Sequence, residues 1–468
     1  MLETSSEDIT EGPLGRALAA LAAPVVAQQL VLIGQTLVDI FWVGRISADA
    51  VAAVGLVTPL LAVFGIGTQG VSVAGQILVS QRYGADDTAG ARKAAGHAMA
   101  LVVAINTVLA VVVFGLADPL VRLVGATGQV ATFAVAYISV LAFSKIVSGL
   151  SDMIEYSYQG AGDTRTPFAL NVVAIVVNLV LDPFLIFGWW RFPELGIQGA
   201  ALATMIGYGV AAVLGVATLV GSRTEFGITR AAFVPDRETF RQLVRIGAPR
   251  GGQGGVRQLA RLVVVWIVAT TGGAAGLAAY TLGARIAAVA FVPALAIGRA
   301  AATVVGQNLG ADRTDRASRA TWLGVTFGVV VIGAFGVVQW LVPGVIARLF
   351  VPGIAGETLA LTVAYLQILA IGYWALGAIH TVEAGFNGAG RTEISMYSTA
   401  LQYWTVRIPV AAVLAFPVGF GLGAVGAFWA VTVSNVVAAI GLTLYFRRST
   451  AAGMLERAAD TSNASSAD

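Results

Sequence analysis

The chain has 468 residues, of which 57% are hydrophobic and 11% are charged, with a formal net charge of +3 and no cysteine. Soluble domains carry about 25% charged residues, so the composition excludes a soluble protein and predicts an all-α polytopic membrane protein. Without cysteine there are no disulfides and no thiol chemistry. The small net charge, spread along the chain, argues against nucleic acid as a partner.

Apolar stretches of about 20 residues, long enough to cross the hydrocarbon of a bilayer as a helix, recur along the whole chain. They predict twelve transmembrane helices. In the first half these are 15–43, 51–80, 93–116, 127–158, 168–189 and 196–221. In the second half they are 244–270, 277–305, 319–342, 355–387, 396–417 and 424–446.

The basic residues between the predicted helices fix an orientation. With both termini in the cytoplasm, fourteen Lys and Arg residues fall on the cytoplasmic side and four on the other, namely Arg45, Arg122, Arg191 and Arg348. This positive-inside bias predicts a multi-pass protein of the inner (cytoplasmic) membrane. The predicted domains are a cytoplasmic N-terminal tail (1–14), an N-lobe (15–221), a cytoplasmic linker (222–243), a C-lobe (244–446) and a cytoplasmic tail (447–468).

The two lobes are predicted to be copies of one another. AP at 23 recurs at 248, QRYGADDT at 81 as QNLGADRT at 307, EYSYQGAG at 155 as EAGFNGAG at 383, and LGIQGA at 195 as LGAVGA at 422. Each lobe has an even number of helices, so the repeats are parallel, and the binding site is expected between them. Duplication of this kind indicates transport by alternating access.

Helix 5 carries Asn178 and Asp182 in an otherwise apolar run, four residues apart and therefore on one helical face. A carboxylate at bilayer depth costs at least about 2.5 kcal/mol on insertion scales, and such residues usually face a cavity for ions or substrate. We therefore predict a functional role for Asp182. The alternative is a carboxylate that a nearby arginine holds for packing alone.

Four polar residues of the first half have apolar partners in the second at an offset of about 226. The pairs are Asp39 with Val264 or Val265, Asn178 with Trp404, Asp182 with Ile408, and Thr204 with Val431. Scaffold residues would be needed in both copies, so the four predict a cation site in the outer half of the N-lobe. An all-oxygen set suits Na⁺, and two neighbouring carboxylates suit H⁺; both alternatives are open.

The chain resembles the multidrug and toxic compound extrusion (MATE) family, in particular its DinF-like branch, over essentially its full length. The matching stretches are VDIFWVGR, QGAGDTRTP, NLVLDP, GAALAT and the duplicated twelve-helix plan. The resemblance implies an exporter, expected to be a monomer in the lipid bilayer, that couples inward Na⁺ or H⁺ movement to efflux of amphipathic organic cations. It implies a cation site at the four residues above and no cofactor beyond the coupling ion.

The resemblance also implies a helix kink at Pro24, although its repeat partner Pro249 makes a purely structural kink the alternative. Arg257 and Gly377 stand where the other branch of the family carries carboxylates, so a second cation site is not expected in the C-lobe. Arg250, Arg257 and Arg261 instead share one stripe of helix 7. We predict an anionic N-lobe wall and a cationic C-lobe wall of the central cavity; the alternative is that these arginines snorkel or pair internally.

Further candidates for the substrate cavity are Tyr137, Glu155, Arg257 and Arg261. Glu155 recurs as Glu383, which favours a structural or gating role. The sequence contains no motif for nucleotide hydrolysis, nucleophilic catalysis or a metal site beyond Na⁺, so an enzyme is not expected. The alternatives are a flippase for a lipid-linked or anionic substrate, which the C-lobe arginines would suit, and a non-transporting receptor or scaffold.

Overall fold

The computed structural model describes residues 6–123, 126–220, 227, 229–351 and 353–467, and in these ranges every regular element is a helix. The helices of the first half are α1 (Ser6–Thr10), α2 (Leu14–Gly44), α3 (Ala48–Gly84), α4 (Thr88–Gly115), α5 (Ala117–Leu123), α6 (Gly128–Gly160), α7 (Arg165–Phe187) and α8 (Ile197–Val220). After a 3₁₀ turn at Arg230–Phe233 come α9 (Arg237–Gly310), α10 (Thr314–Leu341), α11 (Pro343–Phe350), α12 (Gly356–Ile371), α13 (Tyr373–Gly388), α14 (Thr392–Ala400), a π-helical segment (Leu401–Arg407), α15 (Ile408–Ala415), α16 (Ala424–Ala451) and α17 (Met454–Ala467).

Nine of the described helices are long and apolar enough to cross a membrane, and α12 with α13, bent by 49°, makes a tenth. Helix α9 has 74 residues and breaks at Gly273, where φ is 57° and ψ is −156°, so it holds two spans. That backbone conformation is open to glycine and strained for other residues. The twelfth span consists of α14, the π-helical segment and α15. The predicted fold of twelve helices in two lobes is thereby confirmed.

The chain divides into two compact units. Unit 1 contains Ala23–Gly251, and unit 2 contains Glu7–Ala22 and Gly252–Asp468. The divisions therefore fall inside α2 and α9, next to the repeated Pro24 and Pro249, and not within the predicted linker. A proline lacks the N–H of a helical hydrogen bond and permits a bend, so both helices pass between units at a point where the helix is weakened.

The N-terminal segment is part of unit 2. Ile9 is fully buried, and its carbonyl accepts hydrogen bonds from Asn308 Nδ2 at 3.3 Å and from Arg316 Nη2 at 3.2 Å. At the other end of the chain, α17 buries Met454 and Leu455. The described parts of both predicted tails therefore pack on the helices of unit 2.

The end of the predicted linker packs on α4. Residues 221–226 and 228 lie outside the described residues, and the following turn approaches α4 so closely that a Cβ at Gly96 would lie 2.6 Å from the Ala232 carbonyl oxygen. Lys93 Nζ lies 3.3 Å from Asp236 Oδ2, and the Asp236 N–H donates to His97 Nε2 at 2.9 Å. These contacts fix the start of α9 within unit 1.

Candidate cation site

Three helices of unit 1 supply the predicted site. Asp39 lies on α2, Asn178 and Asp182 on α7, and Thr204 on α8. Helices α7 and α8 lie in close contact at Gly207, where a Cβ would stand 2.5 Å from the Ala174 carbonyl oxygen. The missing side chain brings the backbones together and places the polar side chains of both helices within reach of one another.

The structure brings all four predicted side chains together. The Asp39 and Asp182 carboxyl groups lie within hydrogen-bonding distance of each other. Asn178 Nδ2 is 3.4 Å from Asp182 Oδ1 and 3.4 Å from Thr204 Oγ1, and in the opposite orientation of its amide the nitrogen is 3.1 Å from Asp39 Oδ1. Asn178 and Asp182 are each 1% exposed. Their use as an ion site stays a prediction.

The carboxyl pair has no positive counter-charge among the described residues. Asp182 Oδ2 is buried and has no hydrogen-bond partner among the described residues. Pro183 follows it within α7 and lacks an N–H, so the carbonyl of Leu179 has no helical donor. Asp182 is buried and Asp39 is half-buried. Two carboxylates side by side repel each other unless a proton or a cation lies between them. The two carboxyl groups and the Thr204 hydroxyl offer oxygen ligands for Na⁺, and the carboxyl pair suits a shared proton equally.

Sequence reasoning missed Gln35. This side chain is 7% exposed, and its Nε2 donates to Asn178 Oδ1 at 2.8 Å. Two signals were present in the sequence: Gln35 lies four residues before Asp39 on the same helical face, and its repeat partner at an offset of 225 is the apolar Ala260.

Two tyrosines complete the surroundings. The predicted Tyr137 lies within electrostatic range of both Asp39 and Asp182. Tyr208, which the sequence analysis did not select, lies within range of Asp39 and of Glu155. Tyr208 is therefore near both the candidate site and a second buried carboxylate.

Glu155 is held by three amides. Gln28 Nε2 donates to it at 2.7 Å, Gln159 Nε2 at 2.8 Å and Asn171 Nδ2 at 3.1 Å. A carboxylate with this many donors is stabilised in place. The arrangement favours the structural or gating interpretation over substrate contact.

The same pairing recurs in unit 2. Gln253 Nε2 donates to Glu383 Oε1 at 2.8 Å and to Thr399 Oγ1 at 2.7 Å. Gln253 and Glu383 are the repeat partners of Gln28 and Glu155. Each unit thus contains one buried glutamine–glutamate pair, which supports a role in the shared fold.

The remaining predicted residues lie on long helices. Arg257 and Arg261 are exposed side chains of α9 in unit 2. Pro24 lies inside α2, which is continuous from Leu14 to Gly44.

The internal repeat can be aligned at the ends of two predicted transmembrane helices. Transmembrane helix 5 is α7, and transmembrane helix 11 consists of α14, the π-helical segment and α15; they are called helix 5 and helix 11 below. The Leu195 N–H donates to the Leu185 carbonyl at 3.0 Å, and the Leu422 N–H donates to the Leu414 carbonyl at 2.9 Å. The repeated glycines that follow, Gly199 and Gly426, also approach the backbone of Leu185 and Leu414, so we match these two leucines as equivalent positions.

Helix 11 contains one more residue than helix 5. The loops before the two helices are also equivalent. The Asp163 N–H donates to the Tyr158 carbonyl, and the Arg391 N–H donates in the same way to the Phe386 carbonyl. Leu185 follows Asp163 by 22 residues, and Leu414 follows Arg391 by 23 residues. The π-helical segment Leu401–Arg407 contains the additional residue, since a π-bulge is a one-residue insertion into an α-helix.

This insertion corrects the predicted partners. Counted back from the matched leucines, Asn178 corresponds to Arg407 and Asp182 to Ala411. The partners expected from a constant offset, Trp404 and Ile408, are each wrong by three residues. The position of Asn178 therefore holds a charged residue in unit 2, and not an apolar one.

Comparison with known proteins decides the family. The family model described as MatE matches the chain twice, over residues 24–184 and 256–413. The chain belongs to the MatE family. The two matches, one in each half, also confirm the internal duplication.

Its MatE relatives are similar along nearly their whole length. "Probable multidrug resistance protein NorM" from Pseudomonas aeruginosa is 29% identical over 93% of this chain and 90% of the relative. "FAD transporter" from Shewanella oneidensis is 25% identical over 94% of this chain and 95% of the relative. A solved structure, "Crystal structure of MATE in the bent conformation", has a TM-score of 0.89 at 24% identity and covers 97% of this chain and 99% of its own.

This MatE protein is thus a membrane transporter of the multidrug-efflux class, and the prediction that it is not an enzyme is confirmed. Its many apolar helices and its bacterial relatives are consistent with a location in the inner membrane. The DinF-like branch stays a prediction.

Proposed function

We propose that the protein is a secondary active exporter in which Na⁺ or H⁺ from outside binds between Asp39 and Asp182 and drives efflux of amphipathic organic cations. The observation that carries the proposal is the pairing of the half-buried Asp39 with the buried Asp182, whose Oδ2 has no partner in the described part of the chain. The coupling ion supplies the positive charge that this pair lacks.

Coupling requires that the ion bind one state of the protein more tightly than the other. Asp39 lies on α2 and Asp182 on α7, so a movement of α2 relative to α7 changes the distance between the carboxyl groups. Pro24 marks the point where α2 passes from unit 2 to unit 1. We expect a bend there to open or close the ion site during alternating access.

A second candidate function is export of an anionic substrate. The observation that favours it is Arg407, a buried guanidinium in unit 2 at the repeat position of Asn178. The relative from Shewanella oneidensis that bears the name of a FAD transporter, and hence of a carrier for an anionic dinucleotide, supports the same candidate.

The test uses inverted membrane vesicles that contain the wild type, Asp39→Asn or Asp182→Asn. Uptake of a fluorescent organic cation is driven first by an imposed Na⁺ gradient and then by a proton gradient. Asp118→Asn is the matched control, because Asp118 is an exposed carboxylate paired with Arg122 on the short helix α5.

We expect one gradient to drive uptake in the wild type and in Asp118→Asn, and neither gradient to do so in the other two variants. Uptake that survives both Asp39→Asn and Asp182→Asn would exclude the carboxyl pair as the coupling site. Wild-type vesicles that move no organic cation under either gradient would favour the second candidate function.

A further inference from the structure

We propose that unit 2 contains an oxyanion-binding pocket centred on Arg407. The inference deepens the second candidate function and rests on it for the physiological use of the pocket. Arg407 is 7% exposed and lies in the π-helical segment. Its Nε donates to Ser434 Oγ at 2.8 Å and its Nη2 to Asn435 Oδ1 at 2.6 Å.

The charge of Arg407 is not neutralised within the described part of the chain. Both of its acceptors, Ser434 and Asn435, are neutral, and no described carboxylate forms an ion pair with it. Its guanidinium stacks on the ring of Tyr403, with the central carbon 3.9 Å from the ring centroid. A cation–π contact stabilises the charge but adds no counter-charge.

Two of the five guanidinium N–H donors have hydrogen-bond acceptors, so three are left for a ligand. A buried charge is costly unless it is paired and hydrogen-bonded. The planar fork of arginine matches the oxygens of a carboxylate or a phosphate. An oxyanion therefore supplies a counter-charge for Arg407 and hydrogen-bond acceptors for its free N–H donors.

The neighbouring side chains are donors or cations. The Tyr280 hydroxyl lies within electrostatic range of Arg407 and of Arg261. Tyr365 lies beside Tyr280, with ring centroids 5.5 Å apart, and within range of the same two arginines. Two positive charges and phenolic hydroxyls favour an anion and disfavour a metal ion or an organic cation.

A cleft lies next to the segment that carries Arg407 and is large enough for an apolar chain. It has a volume of about 400 Å³ and lies between helix 11 and α16. Gln402 and Val406 line it, and Gln402 Nε2 donates to the same Asn435 Oδ1 that accepts from Arg407. The rest of the lining is mostly apolar, including Leu401, Leu442 and the rings of Tyr397 and Tyr445. We infer that the ligand is an anionic amphiphile.

The internal repeat supports the assignment. In unit 1 the position of Arg407 is occupied by Asn178, which lies beside two carboxyl groups and suits a cation. In unit 2 the equivalent place holds a fixed positive charge. The two copies of one fold thus offer sites of opposite sign.

The test measures binding to the purified full-length protein in a neutral detergent at constant ionic strength. The probes are inorganic phosphate and dodecyl phosphate, and the readout is the shift in unfolding temperature as each probe is titrated. Arg407→Gln removes the charge, and Arg407→Lys keeps the charge but removes the planar fork. Arg348→Gln is the control, since it removes one exposed positive charge from α11 of the same unit.

We expect a saturable shift in the wild type and in Arg348→Gln, an affinity at least ten-fold lower in Arg407→Gln, and an intermediate value in Arg407→Lys. Dodecyl phosphate is expected to bind at least ten-fold more tightly than inorganic phosphate. Equal affinities for the two probes would overturn the amphiphile and its place in the cleft.

The absence of a saturable shift with either probe in the wild type would overturn the pocket itself. The pocket would also be overturned if Arg348→Gln and Arg407→Lys lost affinity equally, because this would indicate unspecific attraction between the phosphate probes and the protein's positive charges. If Arg407→Gln does not fold, Arg407→Lys still decides the question. The assay measures binding without an ion gradient, so its failure is distinct from a failure of the vesicle transport experiment.

Discussion

Asn178 and Arg407 occupy equivalent positions of the internal repeat, because the π-helical segment adds one residue to helix 11. The same fold therefore places an amide beside two carboxyl groups in unit 1, and in unit 2 a guanidinium that has no ion pair with any described carboxylate. The charge at this position of the repeat therefore differs between the two halves.

Replacing Gln35 is expected to weaken ion binding without unfolding the protein. Gln35→Leu removes the donor that fixes the Asn178 amide at 2.8 Å. The loss of one buried hydrogen bond costs about 1 kcal/mol, and the ion affinity should fall by roughly five-fold to ten-fold. The ion affinity is measured from the rise in unfolding temperature as the ion is titrated. Thr36→Val, an exposed neighbour on α2, should leave the affinity unchanged, and equal effects of the two variants would contradict the role of Gln35.

A methyl group at Gly199 is expected to separate α7 from α8. A Cβ there would lie 2.3 Å from the Leu185 carbonyl oxygen, and at the equivalent Gly426 it would lie 2.5 Å from the Leu414 carbonyl carbon. Overpacking of this kind costs about 1–3 kcal/mol, so both Gly→Ala variants should unfold at lower temperature than the wild type.

Gly209→Ala is the control on α8, because nothing lies within 4 Å of its Cβ. It should be neutral or slightly stabilising, since alanine favours a helix over glycine by roughly 0.5–1 kcal/mol. A Gly199→Ala variant as stable as Gly209→Ala would show that the helices separate at no cost.

The glutamine–glutamate pairs are expected to stabilise each unit independently. Gln28→Leu removes one of the three amides that donate to Glu155, and Gln253→Leu removes the amide that donates to Glu383. Loss of a partner to a buried charged group costs about 1–3 kcal/mol, and effects at sites that share no partner should add. Thermal unfolding of both single variants and the double variant tests this, with the exposed Gln198→Leu as control. Destabilisation that is far from additive would mean that the two pairs act as one network.

The contribution of the Asp236 carboxyl to the contact between the linker end and α4 is expected to be insensitive to mild acid. The Thr239 hydroxyl, which donates to Asp236 Oδ2 at 2.6 Å, holds the pKa of that carboxyl well below its ordinary value of 3.8, and the Thr239 N–H and Lys93 act in the same direction. A lowered pKa stabilises the folded state above the ordinary value, and this stabilisation is lost only as the pH falls through the folded pKa. Between pH 8 and pH 5 the contribution of Asp236 should therefore be constant.

Asp236→Ala is expected to destabilise the start of α9 by about 1 kcal/mol, as the loss of a helix N-cap does, and by the same amount at pH 8 and pH 5. Hydrogen exchange of residues 236–243 at the two pH values is the measurement. A lower protection factor of the wild type at pH 5 than at pH 8, after correction for intrinsic exchange, would contradict the prediction.

The sequence by itself determined the class of protein, the twelve helices, the duplication and the four polar residues that come together in unit 1. These follow from hydropathy along single segments and from comparison of the two halves, which need no knowledge of how helices pack. The tertiary structure decided the rest: the Gln35 contact, the three amides around Glu155, the packing of α1 in unit 2 and the surroundings of Arg407. The physical reason is rotation, since each residue of an α-helix turns by about 100°. One inserted residue in helix 11 therefore changes which side chains face a neighbouring helix while leaving the hydropathy pattern almost unaltered.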